Sequence, residues 1–141
     1  MVPDSKLVRP LKEAELELLL WMFHHGPDDL RTFRPQLEGI LASPWCDCGC
    51  PSIRLQVAEG VALGKDFNQR VIGDFAGRTA KGELVGILLF QRDRKLELLE
   101  IYSMDGLVRG EFGLPTLDSL RLLEWQPSPH NPNRRVLKSP K

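Results

Sequence analysis

The sequence predicts an α+β domain in which two or three N-terminal helical segments pack on a mainly antiparallel four- to five-stranded sheet. Three observations carry that reading. Leu16, Leu19, Leu20 and Phe23 recur at i, i+3, i+4 and i+7, the spacing of one helix face. Ile53, Leu55 and Val57 alternate with Arg54, Gln56 and Ala58, the period of a strand with one wet face. Residues 84–90 and 96–102 are apolar runs joined by Gln91, Arg92, Asp93, Arg94 and Lys95, which reads as a hairpin at the centre of the sheet.

Taken in order, the first helix spans residues 11–25 and ends at Gly26-Pro27. Pro10 suits a first turn and Glu15 fits a capping box, but Lys12, three residues earlier, carries no side-chain acceptor. Pro27, Asp28 and Asp29 then read as a second helix start, with Leu30, Phe33, Leu37 and Ile40 as its apolar stripe. Pro35 lacks a backbone donor and disfavours the helical region at Arg34, so this element is kinked or divided, and helical structure ends before Ser43-Pro44. The strand from Ile53 closes at Glu59-Gly60, residues 61–69 read as loop, and residues 70–79 as a weaker strand with a bulge or close backbone approach at Gly73 or Gly77. Turns follow at residues 80–82 and 105–106. Residues 116–120 suit a short helical turn, and 121–125 fit either a helix or an edge strand. One domain over 1–125 is expected. Residues 126–141, with Pro127, Pro129, Pro132 and Pro140 among polar and basic side chains, read as a flexible tail.

At 141 residues a domain buries roughly two thirds of its unfolded surface, so neither disulfide nor metal is required for folding. The formal net charge is zero, so bulk electrostatics recruits neither nucleic acid nor an anionic membrane. The tail holds Arg134, Arg135, Lys138 and Lys141 and no acid, which leaves the preceding 125 residues with 15 of the 19 cations against all 19 acids. No specific nucleic-acid contact is expected of this arm, which lacks stacking aromatics. Residues 1–9 lack the features of an export signal and the run 16–23 is interrupted by Glu17, so no membrane contact and a reducing cytoplasm are expected.

All three cysteines fall in one turn: Cys46, Cys48 and Cys50. Thiolates at alternate positions share a side of an extended chain and suit zinc, with His24, His25, His130, a carboxylate or a second chain supplying the fourth ligand. The C-x2-C pairs of zinc ribbons are absent, and a Cys48 to Cys50 bridge would close a small, strained ring. The reading set first is packing, with Gly49 supplying an unusual backbone conformation and Pro51 leading into the strand; no cofactor is expected, with zinc as the alternative. His24-His25 and Asp28-Asp29 complement opposite helix ends. Gly60 to Lys65 superficially resembles a phosphate loop but is one residue short, and Asp66 stands where Ser or Thr is required. Arg92 to Lys95 read as a solvated hairpin tip, and Tyr102 and Trp125 as interface anchors or core.

Arg9-Pro10-Leu11, Cys48-Gly49-Cys50-Pro51-Ser52, and Ile87-Leu88-Leu89-Phe90 beside Leu98-Leu99-Glu100-Ile101-Tyr102 together resemble a family of small uncharacterised bacterial proteins over residues 9–125. The resemblance implies an approximate fold and a bacterial cytosolic setting, and it brings no catalytic residue with it. The hairpin strands are apolar on both faces, so each face needs a cover. That surplus, with no catalytic constellation in the sequence, points to a non-catalytic macromolecule-binding module, immunity-like or regulatory, whose partner is another protein or a second copy. The alternative is a zinc- or thiol-dependent protein using Cys46, Cys48 and Cys50.

Overall fold

A single antiparallel sheet dominates the protein, seen in a computed structural model that describes residues 7–45, 50–104, 106, 112–125 and 135–137. In chain order the elements are β1 (Arg9–Pro10), α1 (Glu13–His25), a 3-10 segment (Asp28–Leu37), β2 (Leu41–Pro44), β3 (Ile53–Gln56), β4 (Val71–Arg78), β5 (Leu84–Arg92), β6 (Lys95–Ser103), a 3-10 turn (Leu117–Ser119), β7 (Arg121–Trp125) and β8 (Arg135–Leu137). The sheet order is β1-β2-β3-β6-β5-β4-β7-β8. The connections from β3 to β4 and from β6 to β7 each pass over two strands, which puts the β5–β6 hairpin in the middle.

This corrects the expected fold class. Among the described residues, two or three helical segments on a four- to five-stranded sheet are replaced by eight strands, one α-helix and two 3-10 pieces. Residues 41–44, expected to close a helical stretch, are strand: Gly39 turns the chain at φ +71 and Leu41 to Pro44 pair with β3. Arg9 and Pro10, expected at a helix start, bridge to Ala42 and Leu41. Residues 121–125 resolve as strand, pairing with β4. Within the stretch expected to be a tail, Arg135–Leu137 pairs with β7, while 126–134 and 138–141 lie outside the described residues.

α1 begins two residues later than its apolar pattern suggests, because Glu15 accepts a hydrogen bond from the Lys12 backbone N–H at 2.8 Å. It ends where the Gly26 N–H reaches Met22 O at 2.8 Å. The next segment winds as 3-10 helix throughout, with Pro35 inside it, the tighter winding that short helical pieces adopt.

The face of the sheet turned to α1, hereafter the inner face, holds the core. Met22, Phe23, Leu30 and Phe33 meet Phe75, Ile87, Leu89 and Leu99 in one buried cluster, each such side chain contributing roughly 1.5–3 kcal/mol. At Gly73, where a bulge was expected, the β4–β5 register shifts between Val71 and Gly73; a Cβ there would stand 3.3 Å from Leu89 Cβ. Asp93 and Arg94 turn the hairpin with φ of 53° and 65°, the left-handed pair of a type I′ turn. Among the described residues no helix is long and apolar enough to cross a membrane.

Candidate functional site

Of the three candidate metal ligands, Cys46 and Cys48 lie outside the described residues. Cys50 is half-buried and lines a groove of about 380 Å³. Arg9, Lys12 and Glu15 form its polar wall, and Phe112 and Leu114 its apolar one. Glu15 is 4% exposed and takes both Arg9 Nη atoms, at 2.8 and 2.9 Å, in a fork geometry. Burial pushes the Glu15 carboxyl up, but the hydrogen bonds from Arg9 and the Lys12 N–H, aided by charge attraction, outweigh it and hold the group below the usual carboxylate range. This ion pair ties β1 to the first turn of α1. Among the described residues no group of three or more His, Cys, Asp or Glu side chains converges as a metal site.

The other sequence candidates separate. His25 Nδ1 lies 3.0 Å from Trp21 O and its ring stacks on Trp21 at 4.1 Å between centroids. The end of α1 is served by a residue the sequence reading missed: Arg31 donates from Nε to Phe23 O at 3.2 Å and from Nη2 to His24 O at 3.0 Å. Asp29 pairs with Lys65 at 2.6 Å instead. In the loop that resembles a phosphate-binding segment, Gly64 is required by packing, since a Cβ there would lie 2.5 Å from the fully buried Phe33 ring. His130 lies outside the described residues, as does the Trp125 side chain.

The sheet face turned away from α1 carries the second candidate. Leu98 pairs with Phe90 on one side and with Arg54 on the other. Leu88 lies between Asp74 and Glu100, and Gly86 between Ala76 and Tyr102, whose ring packs over Gly86. Directly opposed residues of a ladder share a face, so these positions form one outer surface. None of Leu98, Phe90, Leu88 and Ala76 belongs to the inner core cluster; Leu98 and Ala76 are buried, whereas Leu88 and Phe90 are half-buried. Each described helical segment packs on the inner side.

Charges edge this apolar strip. Arg70 and Arg92 both grip Glu97, Arg92 Nε at 2.8 Å from Oε2, and Arg70 also lies over the Phe90 ring at 5.8 Å from its centroid. They open into a polar cleft of about 570 Å³ between residues 66–70 and the hairpin tip. The Glu100 side chain has no hydrogen-bond or ion-pair partner among the described residues, and burial pushes its carboxyl above the usual range. Compared with protein-family models, curated proteins and solved structures, the chain gives no match.

Proposed function

We propose that this chain is a protein-binding module, immunity-like or regulatory, that engages its partner through the outer sheet face without chemistry of its own. The carrying observation is the strip of Leu88 and Phe90, half-buried beside the buried Leu98 and Ala76 on the side away from α1. An apolar strip on a rigid sheet, rimmed by arginine, has the makeup of an interface core, where aromatic and Arg side chains are enriched. The partner is another protein or a second copy of the chain.

Site-specific photo-crosslinking tests this. With p-benzoylphenylalanine at position 88, and at exposed Lys81 as control, irradiation in cells is expected to give one discrete heavier species from position 88 only. A species at twice the chain mass would make the partner a second copy. No adduct from position 88, or the same adducts from both positions, would overturn the reading.

A second reading, favoured by Cys50 standing at a groove beside Arg9 and Lys12, is a thiol- or zinc-dependent protein. Native thiol titration with and without chelator separates the two. Release of about one equivalent of zinc with unmasking of thiols supports the second reading, and equal titration in both arms removes its metal form.

A further inference from the structure

This inference rests on the protein-binding reading and names the chemistry of the partner. Arg54 stands beside Leu98 on β3, Arg70 and Arg92 lie at the hairpin end of the outer face, and Arg78 and Arg121 lie at the opposite end. All five are exposed. Among the described residues the carboxylates on the same face are Asp74, Glu97 and Glu100, and Asp66 and Asp93 line the cleft beside Arg70 and Arg92 together with Arg94. Two guanidiniums share Glu97, which leaves that group with one net positive charge, and Arg54 has no ion-pair partner among the described residues. The chain as a whole is neutral, yet this face is cationic around an apolar centre. The helical side is mixed in charge: it exposes Glu13, Glu17, Asp28 and Asp29 together with Lys12, Arg31, Arg34 and Lys65.

We infer that the outer face binds an acidic protein surface, seating carboxylates on Arg54 and the Arg70–Arg92 pair and an apolar or aromatic side chain on Leu88 and Phe90. Guanidinium is weakly hydrated and matches a carboxylate in fork geometry, so arginines at an apolar margin favour this partner over a diffuse polyanion. A nucleic acid fits less well. Phe90, the aromatic ring of the strip, already lies under Arg70, which takes the ring face a base would stack on.

Fluorescence anisotropy with three labelled probes tests the inference on the full chain: a random glutamate–tyrosine copolymer, a lysine–tyrosine copolymer and a single-stranded oligothymidine. The glutamate–tyrosine copolymer is expected to bind and to weaken about tenfold between about 50 and about 200 mM salt. The double variant Arg54→Glu, Arg92→Glu is expected to lose about tenfold or more at low salt with an unchanged far-ultraviolet dichroism spectrum. If it does not fold, Arg54→Gln alone is read instead, with a loss of about threefold. Glutamate–tyrosine binding that ignores these substitutions, or tighter binding of either other probe, would overturn the inference. Its failure is distinguishable from that of the broader reading: a crosslink at position 88 that survives in the double variant keeps a protein partner and removes the acidic preference.

Discussion

Replacing Gln36 by Met is expected to loosen three parts of the fold at once. Gln36 is fully buried, and its amide nitrogen donates to Ala62 O at 3.1 Å and Arg94 O at 2.8 Å, while its oxygen accepts from the Leu96 N–H at 2.9 Å. Met nearly preserves volume, so little of the cost comes from a cavity. Arg94 O keeps a second donor, the Gly64 N–H at 2.9 Å, and exposed Ala62 can turn its carbonyl to water. The Leu96 N–H is buried and loses its side-chain acceptor, at a cost of roughly 1–3 kcal/mol, and the two donor bonds add about 0.5–1 kcal/mol between them. The sum, about 1.5–4 kcal/mol, lowers Tm by roughly 5–14 °C in a chain of this length and moves the urea midpoint down by about 1–2 M at constant m-value. Urea unfolding followed by dichroism gives the magnitude, and amide exchange gives the place: the amides of Leu96 and Gly64 are expected to lose protection before that of Leu99. A destabilisation under about 0.5 kcal/mol, or unchanged protection at Leu96, would refute the assignment of Gln36 as the tie between helical segment, loop and hairpin.

Arg9→Met strands the buried Glu15 carboxylate and is expected to cost about 1–3 kcal/mol, below the roughly 3–5 kcal/mol for breaking a fully buried pair because Arg9 is partly exposed and the Lys12 N–H still serves Glu15. The folded-state pKa of Glu15 is depressed, so its stabilisation is full above the unfolded value near about 4.3 and is lost as pH falls through the folded value; Glu15→Gln is expected to flatten that acid limb in a Tm-against-pH series. Glu100 has the opposite sign. Its folded pKa is raised, so its ionisation costs stability as pH climbs from the unfolded value through the folded one, and Glu100→Gln is expected to raise Tm slightly at pH 7, with the gain vanishing below about pH 4. Gly64→Ala forces a methyl to within 2.5 Å of the Phe33 ring, which is sealed in the core, and is expected to cost about 1–3 kcal/mol in urea unfolding.

The parts of the fold that were legible in the sequence are those whose periodicity is self-contained. Thirteen residues of α1 display their inward stripe unaided, and the two nine-residue hairpin strands announce both their type and their surplus of apolar side chains. β1, β2 and β8 have two, four and three residues, too few to show a period, and they are strands because a neighbour supplies the ladder. Leu37 and Ile40 misled for a specific reason: their i, i+3 spacing prolongs a helical stripe across Gly39, whose left-handed φ ends it. The same division holds for the candidate site. Leu88, Phe90 and Leu98 could be read as a second apolar face from the hairpin alone, but Arg54 and Arg121 come from strands 67 residues apart and reach that face only through pairing with Leu98 and Ala76. Such a rim follows from register, and a one-residue slip of β3 would turn Arg54 toward the core and Ile53 and Leu55 to the outside. The burial of Ile53 and Leu55 therefore holds Arg54 outward, and the core packing that stabilises the sheet also fixes the charge pattern offered to a partner.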